Sequence, residues 1–286
     1  PVTAYKIYKD NKVLAELSAD KKTYTLPADA EGTFEVTAVY GAAESAKVSA
    51  EVPYVAAENQ AIDLRHSGFT IPGVFGPIRK NVTIEFWMKC HSLADWNQSA
   101  GPGWGQFMFH ANANGTLTAG WDISARCNAT GALKLEKWQH IAIVVERGKM
   151  SVYVDGAKKA SCNSSYTGVG GFGDLTFSAS ASGGFDAEID ELRIWDKTFN
   201  DFDVYGRSVE VGSAGLMDKL LVYYKGDVIR SGGEYKLRDY GPNRTHASLL
   251  NANFSVIPAT DLTLSSSSLL APQVVAPTED IYVGVP

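Results

Sequence analysis

Three tryptophans, Trp96, Trp104 and Trp121, stand in one polar, glycine-rich stretch, HSLADWNQSAGPGWGQFMFHANANGTLTAGWD (residues 91–122). A pyranose ring presents a face of C–H groups fringed by hydroxyls, so a receptor for it needs a flat apolar surface with hydrogen-bonding groups alongside. An indole supplies the surface, and amide and carboxylate side chains supply the bonds. Asp95, Asn97, Gln98, Gln106, Asn112 and Asn114 lie in the same stretch. Trp104, between Gly103 and Gly105, has little side-chain cover from its chain neighbours. Trp96, Trp104, Trp121, Asn97, Gln106, Asn112 and Asn114 are therefore the residues expected to touch a glycan. An aromatic in a long loop can equally pin that loop to its scaffold, and exposure separates the two roles.

The other reactive groups lack the spacing their chemistry needs. His66, His91, His110, His140 and His246 share no metal-ligand interval, and no Ser stands in a Gly-x-Ser-x-Gly elbow. His140 lies on an alternating strand and is expected on its exposed side. GVGGFGD (168–174) has no Lys-Ser/Thr and precedes no helical pattern, so it is no phosphate cradle. Cys90, Cys127 and Cys162 are an odd set without metal spacing, so at least one thiol has no partner within the chain. If the strands around residues 138–155 run as a meander, Cys127 and Cys162 reach the same sheet edge, where a disulfide is geometrically conceivable. With 26 basic against 32 acidic residues and a net charge of -6, the chain offers no basic footprint for nucleic acid. No apolar run approaches the roughly 20 residues a membrane-spanning helix requires.

The elements that must carry these loops are strands. WQHIAIVVERGKMSVYVD (138–155) alternates apolar and polar residues on either side of Arg147-Gly148-Lys149, which predicts two strands and a tight reversal. Ile141, Ile143 and Val145 share one face of the first arm, and Val152 and Val154 one face of the second. One side of this hairpin is expected buried and the other free. TIEFWMK (83–89), EIDELRIW (188–195) and LLVYYKGD (220–227) read as further strands, with AIDL (61–64) opening the series and LRDYGPNRTHASLL (237–250) closing it. In this order the motifs resemble the concanavalin A-like jelly-roll sandwiches of the laminin-G-like and pentraxin-like group, over residues 60–257. The resemblance implies an all-β protein, with an antiparallel jelly-roll β-sandwich at residues 56–258 and Trp87, Trp138 and Trp195 as its framework aromatics. NDFDVYGRSVE, from Asn200, reads as a short surface helix after the strand RIW.

The resemblance also raises catalysis and metal binding. Glucan hydrolases share this sandwich and place E-x-D-x-E or E-x-D-x-x-E on one strand. Here the nearest run is Glu188-Ile189-Asp190-Glu191-Leu192-Arg193, with Leu192 and Arg193 where the second Glu should stand. The carboxylates about 5 Å apart that retaining hydrolysis uses cannot come from this strand. Period two instead puts Glu191 and Arg193 on one face, suited to an ion pair. A glycan-cleaving enzyme would need carboxylates from different strands, such as Asp122 with Glu188 or Asp190. Calcium is possible in such sandwiches, but Arg65 stands where the family's opening motif has a second carboxylate. Asp63 and Asp190 stay eligible, and no ligand set is defined.

Residues 1–55 carry short alternating strands, AYKIYKD, KVLAEL, KTYTLP, GTFEVTAVYG and SAKVSAEV, that resemble the later strands of a fibronectin type III module, an immunoglobulin-like fold. The first two strands of such a module and their core Trp are missing, so Ile7, Phe34 and Val36 are expected to be partly uncovered, and the chain is expected to be cut from a longer one. Residues 259–286, with SSSS at 265–268, read as a linker, or as the source of a strand (LTL or DIYVGV) exchanged onto the open edge of the first module or of a neighbour. The chain is thus expected to be a non-catalytic, lectin-like carbohydrate-binding module of a larger bacterial cell-surface or secreted protein. The alternatives are a structural or protein-adhesion spacer and an enzyme with an unusual carboxylate pair.

Overall fold

The computed structural model describes residues 1–9, 11–26, 32–52, 60–93, 98–101, 107–120, 126–163, 167–171, 173–177, 186–200, 217–231, 234–259 and 262. Among these the regular elements are strands, apart from one 3-10 turn at Met217–Lys219. The helix expected from Asn200 and the tail from 260, Leu262 excepted, lie outside the described residues. The described residues fall into two compact units, one on each side of residues 56 and 57.

The first unit is an antiparallel sheet in the order Lys12–Ser18, Ala4–Lys9, Gly32–Tyr40, with Ala43–Glu44 and Val48–Val52 both pairing with the last of these. Period-two alternation sends Tyr5 and Ile7 to one face and Lys6 and Tyr8 to the other, where both bond to Glu44. Ile7 and Phe34, expected partly uncovered, are buried, and Val36 is half-buried. The reason is that the chain after Ser18 returns over this face. Leu17, Tyr24 and Leu26 share an apolar groove of about 240 Å³ with Tyr5 and Phe34. Lys22 Nζ donates to Tyr5 Oη at 2.6 Å and sits 4.6 Å from that ring's centroid. Residues 22–26, expected as a strand, pair with no strand among the described residues.

The second unit is an antiparallel jelly-roll sandwich. Its chain alternates between a nine-stranded sheet and an eight-stranded one. The latter is centred on Asn81–Cys90 and Ala187–Trp195, and Gln60–Asp63 pairs with Ser255–Pro258, so the start and end of the unit meet in one ladder. Between the sheets lies one continuous apolar core. Phe177 is its hub: its ring stacks on Phe69 at 5.1 Å and meets Phe109 at 5.5 Å and Phe86 at 5.9 Å, both edge-on.

The hairpin of residues 138–155 forms as its alternation predicts, with Ile141 opposite Val154, Ile143 opposite Val152, and Arg147 and Gly148 at positive φ in the turn. Its second side is not free, however. Ala142, Val144 and Tyr153 are buried there and pack against Phe199, and His140 is fully buried. The framework tryptophans are also buried, on this outer side of the eight-stranded sheet. Trp87 and Trp138 pack with Ala61, Ala259 and Leu262, and Trp195 packs with Leu220, Tyr223 and Phe199. The closing motif is fixed by Asp239, whose carboxylate accepts the backbone N–H groups of Tyr223 at 2.8 Å, Gly241 at 2.7 Å and Thr245 at 2.6 Å.

Candidate functional site

The register of the nine-stranded sheet sorts its residues into rows. Phe69, Phe177, Phe109, Ala119 and Cys127 form a core row. One residue along each strand, Thr70, Thr176, Met108 and Arg126 form a row on the opposite face, and on the other side of the core row so do His110, Thr118 and Asn128. The opposite face therefore carries hydroxyls and amides beside Met108, Arg126 and His110, with Thr118 and His110 themselves buried. Thr70 and Thr176 share a hydrogen bond of 2.9 Å, Thr118 Oγ1 donates to Asn128 Oδ1 at 2.9 Å, and Asn112 Nδ2 donates to Thr118 Oγ1 at 3.1 Å. Burial, followed by the charge of Arg126, lowers His110 to a pKa of about 4, so this ring is neutral near pH 7.

Of the residues expected to touch a ligand, Asn112 and Asn114 are described. Asn112 belongs to the outward polar network, and its Nδ2 also donates to Thr116 O at 3.2 Å. Exposed Asn114 builds the adjoining turn, its Oδ1 accepting the Thr116 N–H at 3.0 Å. Trp96, Asn97, Trp104, Gln106 and Trp121 lie outside the described residues, but the strand ends that flank them are placed. Gly101, Met108, Gly120 and Arg126, which border residues 102–106 and 121–125, are at one end of the strands. Gln98, which follows Trp96 and Asn97, is at the other end beside Ala111, with Asn112 and Asn114.

The acidic strand leads elsewhere. The register of Ala187–Trp195 shifts between Asp190 and Arg193, with Glu191 at φ 54°. The expected ion pair is present, Arg193 Nη1 lying 3.4 Å from Glu191 Oε2, but Arg193 also reaches Glu85 at 3.1 Å. Glu85 accepts the Trp195 Nε1–H at 2.9 Å and lies 3.1 Å from His140 Nε2, which corrects the expectation of an exposed His140. Burial opposes the charge on Glu85, yet Arg193, His140 and Trp195 together lower its pKa to about 2. Asp190 is raised well above the carboxylate range by burial and then by the Glu191 charge. Glu85, Asp190, Glu191 and Arg193 are all closed off from solvent. Their arrangement suits a sealed structural network rather than contact with a saccharide. Asp122, the other carboxylate weighed for catalysis, lies outside the described residues.

Calcium does not fit at Asp63. Both of its oxygens are held by the Arg65 guanidinium, at 2.8 and 2.9 Å, and Oδ1 also accepts the Arg65 N–H at 3.0 Å. A cation there would face the repulsion of the guanidinium already paired with that carboxylate. Among the described residues no three His, Cys, Asp or Glu side chains gather to hold a metal, and no helix is long and apolar enough to cross a membrane.

Sequence reasoning missed the outward rows and the Glu85 network. The signal for the rows was present in four short strands, FTI, LTF, LTAG and RCNA, each alternating polar with apolar. The Glu85 network had only a weaker one, a lone Glu in the apolar run TIEFWMK.

A family model described as the concanavalin A-like lectin/glucanases superfamily matches residues 59–204, and the chain belongs to that superfamily. No curated protein matches it in sequence. Among solved structures it is similar to a candidate carbohydrate-binding protein from Bacteroides ovatus, with a TM-score of 0.58 and 18% identity over 87% of this chain and 74% of that one. It is also similar to a SAP-like pentraxin from Limulus polyphemus, with a TM-score of 0.39 and 15% identity over 51% of this chain and 80% of that one. A third is domain 4 of an extracellular arabinanase from Geobacillus stearothermophilus, in complex with arabinotriose, with a TM-score of 0.38 and 19% identity over 46% and 68%. At 18% identity the likeness to the Bacteroides protein shows the fold alone.

Proposed function

We propose that the sandwich is a non-catalytic carbohydrate-binding module, seating a glycan on the outward face of the nine-stranded sheet with Trp104 and Trp121 as its stacking surfaces. The observation that carries this reading is the polar outward face, where hydrogen bonds join Asn112, Thr118 and Asn128 and Thr70 pairs with Thr176. Hydroxyls and amides suit a saccharide, and Gly101 and Gly120, which precede the segments of Trp104 and Trp121 in the chain, lie at the Met108 and Arg126 end of this face. The fold shared with the Bacteroides protein supports the same class of ligand. In this reading the chain works as part of a larger bacterial surface or secreted protein.

A glycan array followed by titration against the best ligand tests it. Trp104→Ala and Trp121→Ala each weaken binding by at least about 10-fold, the loss of a central aromatic contact, and leave the unfolding midpoint within about 1–2 °C of wild type. Trp96→Ala, close in the chain to Gln98 at the opposite end of the strands, has the smaller effect. Wild-type failure on a broad array, or undiminished binding by the first two variants, overturns the reading.

A second reading, a spacer or protein-adhesion module with a strand-exchange contact, draws on the apolar groove beside Phe34 in the first unit. A strand-exchanged oligomer seen by light scattering is its test.

A further inference from the structure

At one side of the sandwich the two sheets end together. The Arg126–Ala129 strand is the last of the nine-stranded sheet and Ala157–Asn163 the last of the eight-stranded one. Each carries a cysteine directed into the space between the sheets. Cys127 lies in the core row, buried, and Cys162 packs against the same core from a partly exposed position. Cys127 Sγ is 3.8 Å from the carbonyl oxygen of Met150, the residue paired with Cys162 across its ladder. The two edge strands that carry these cysteines lie against each other. Cys90 stands apart, on a strand inside the eight-stranded sheet, and burial pushes its pKa up to about 12.

We propose that Cys127 and Cys162 are a disulfide-forming pair, joining the edge strands of the two sheets when the protein meets a disulfide oxidant, while Cys90 stays a thiol. The chemistry balances with oxidised glutathione as that oxidant. The more accessible Cys162 thiolate attacks one glutathione sulfur, forming a mixed disulfide and releasing one glutathione thiolate. The Cys127 thiolate then attacks the Cys162 sulfur, the intramolecular bond forms, and the second glutathione leaves. Two protons and two electrons leave the protein, and one glutathione disulfide becomes two thiols. Burial, then the neighbouring Cys162, raises Cys127 to a pKa of about 12, so the closing step is the slow one. The linkage would tie together the edges of the two sheets and restrict the freedom of the unfolded chain between them.

The test uses the intact chain equilibrated with either oxidised glutathione or a reductant, then denatured and alkylated. The oxidised sample is expected to show one alkylatable thiol, at Cys90, and a tryptic cross-link between residues 127–134 and 160–193. Its unfolding midpoint is expected about 5–10 °C above that of the reduced protein. Cys90→Ser keeps the cross-link, and Cys162→Ser removes the response of the midpoint to oxidant. Three alkylatable thiols after oxidation, a cross-link through Cys90, or glutathione retained on Cys162 overturns the proposal.

Discussion

Glu85→Gln separates charge from shape in the sealed network of the eight-stranded sheet. In the wild type the Glu85 carboxyl, fully buried beside Arg193, His140 and Trp195, titrates at about 2 against an ordinary 4.5. A folded-state value below the unfolded one means that the unfolded chain binds the proton first. The carboxylate therefore contributes stability that is fully present above pH 4.5 and is lost as the pH falls toward 2. At about 1.4 kcal/mol per pKa unit the contribution is about 3 kcal/mol at pH 7 and about half of that at pH 3. Glutamine retains an acceptor for the Trp195 N–H but leaves the Arg193 guanidinium short of a counter-charge, with Glu191 at 3.4 Å as its other partner. Urea unfolding followed by tryptophan fluorescence reads the effect, because several of the indoles sit in this unit. Glu85→Gln is expected to lie about 3 kcal/mol below wild type at pH 7, with the gap narrowing by about 2 kcal/mol at pH 3. His110, on the other sheet, titrates alike in both proteins and cancels in the difference. A gap of equal size at the two pH values would refute the reasoning, since the loss would then come from packing and not from the charge.

Asp239→Ala strips the acceptor from three backbone N–H groups at once, and at about 1–3 kcal/mol for each buried unsatisfied donor it should cost at least 3 kcal/mol. A thermal melt showing less than about 1 kcal/mol would mean that water or relaxation replaces the carboxylate. Phe177→Ala removes the ring that Phe69, Phe86 and Phe109 share and should cost about 3–5 kcal/mol in chemical denaturation. The tryptophan variants on a glycan array and the thiol count under oxidised glutathione complete the set, and neither depends on the stability of the Glu85 network.

What was legible in the sequence was what a period of two can encode. The 138–155 hairpin, its turn at Arg147-Gly148 and the burial of Ile141, Ile143 and Val145 follow from local alternation, because successive strand residues must face opposite ways, whereas the jelly-roll order came from the resemblance of the motifs to a known family. The failure of the acidic strand to supply a second Glu was equally legible, since it needed only the identities of Leu192 and Arg193. Alternation cannot say whether a strand's second face meets water. For that reason the sequence left His140 exposed and the hairpin half free, whereas Phe199 from a distant segment covers Ala142 and Val144, and Glu85 from a neighbouring strand takes up His140. The site divides in the same way. The residue types that suit a saccharide were visible along 91–122, but the rows that join Thr70 to Thr176 and Thr118 to Asn128 exist only through register between strands. The sequence by itself determined the strands and the chemistry available to them. The tertiary structure decided which faces are sealed, which polar groups share an outward row and which cysteines meet, because those depend on contacts between residues far apart in the chain.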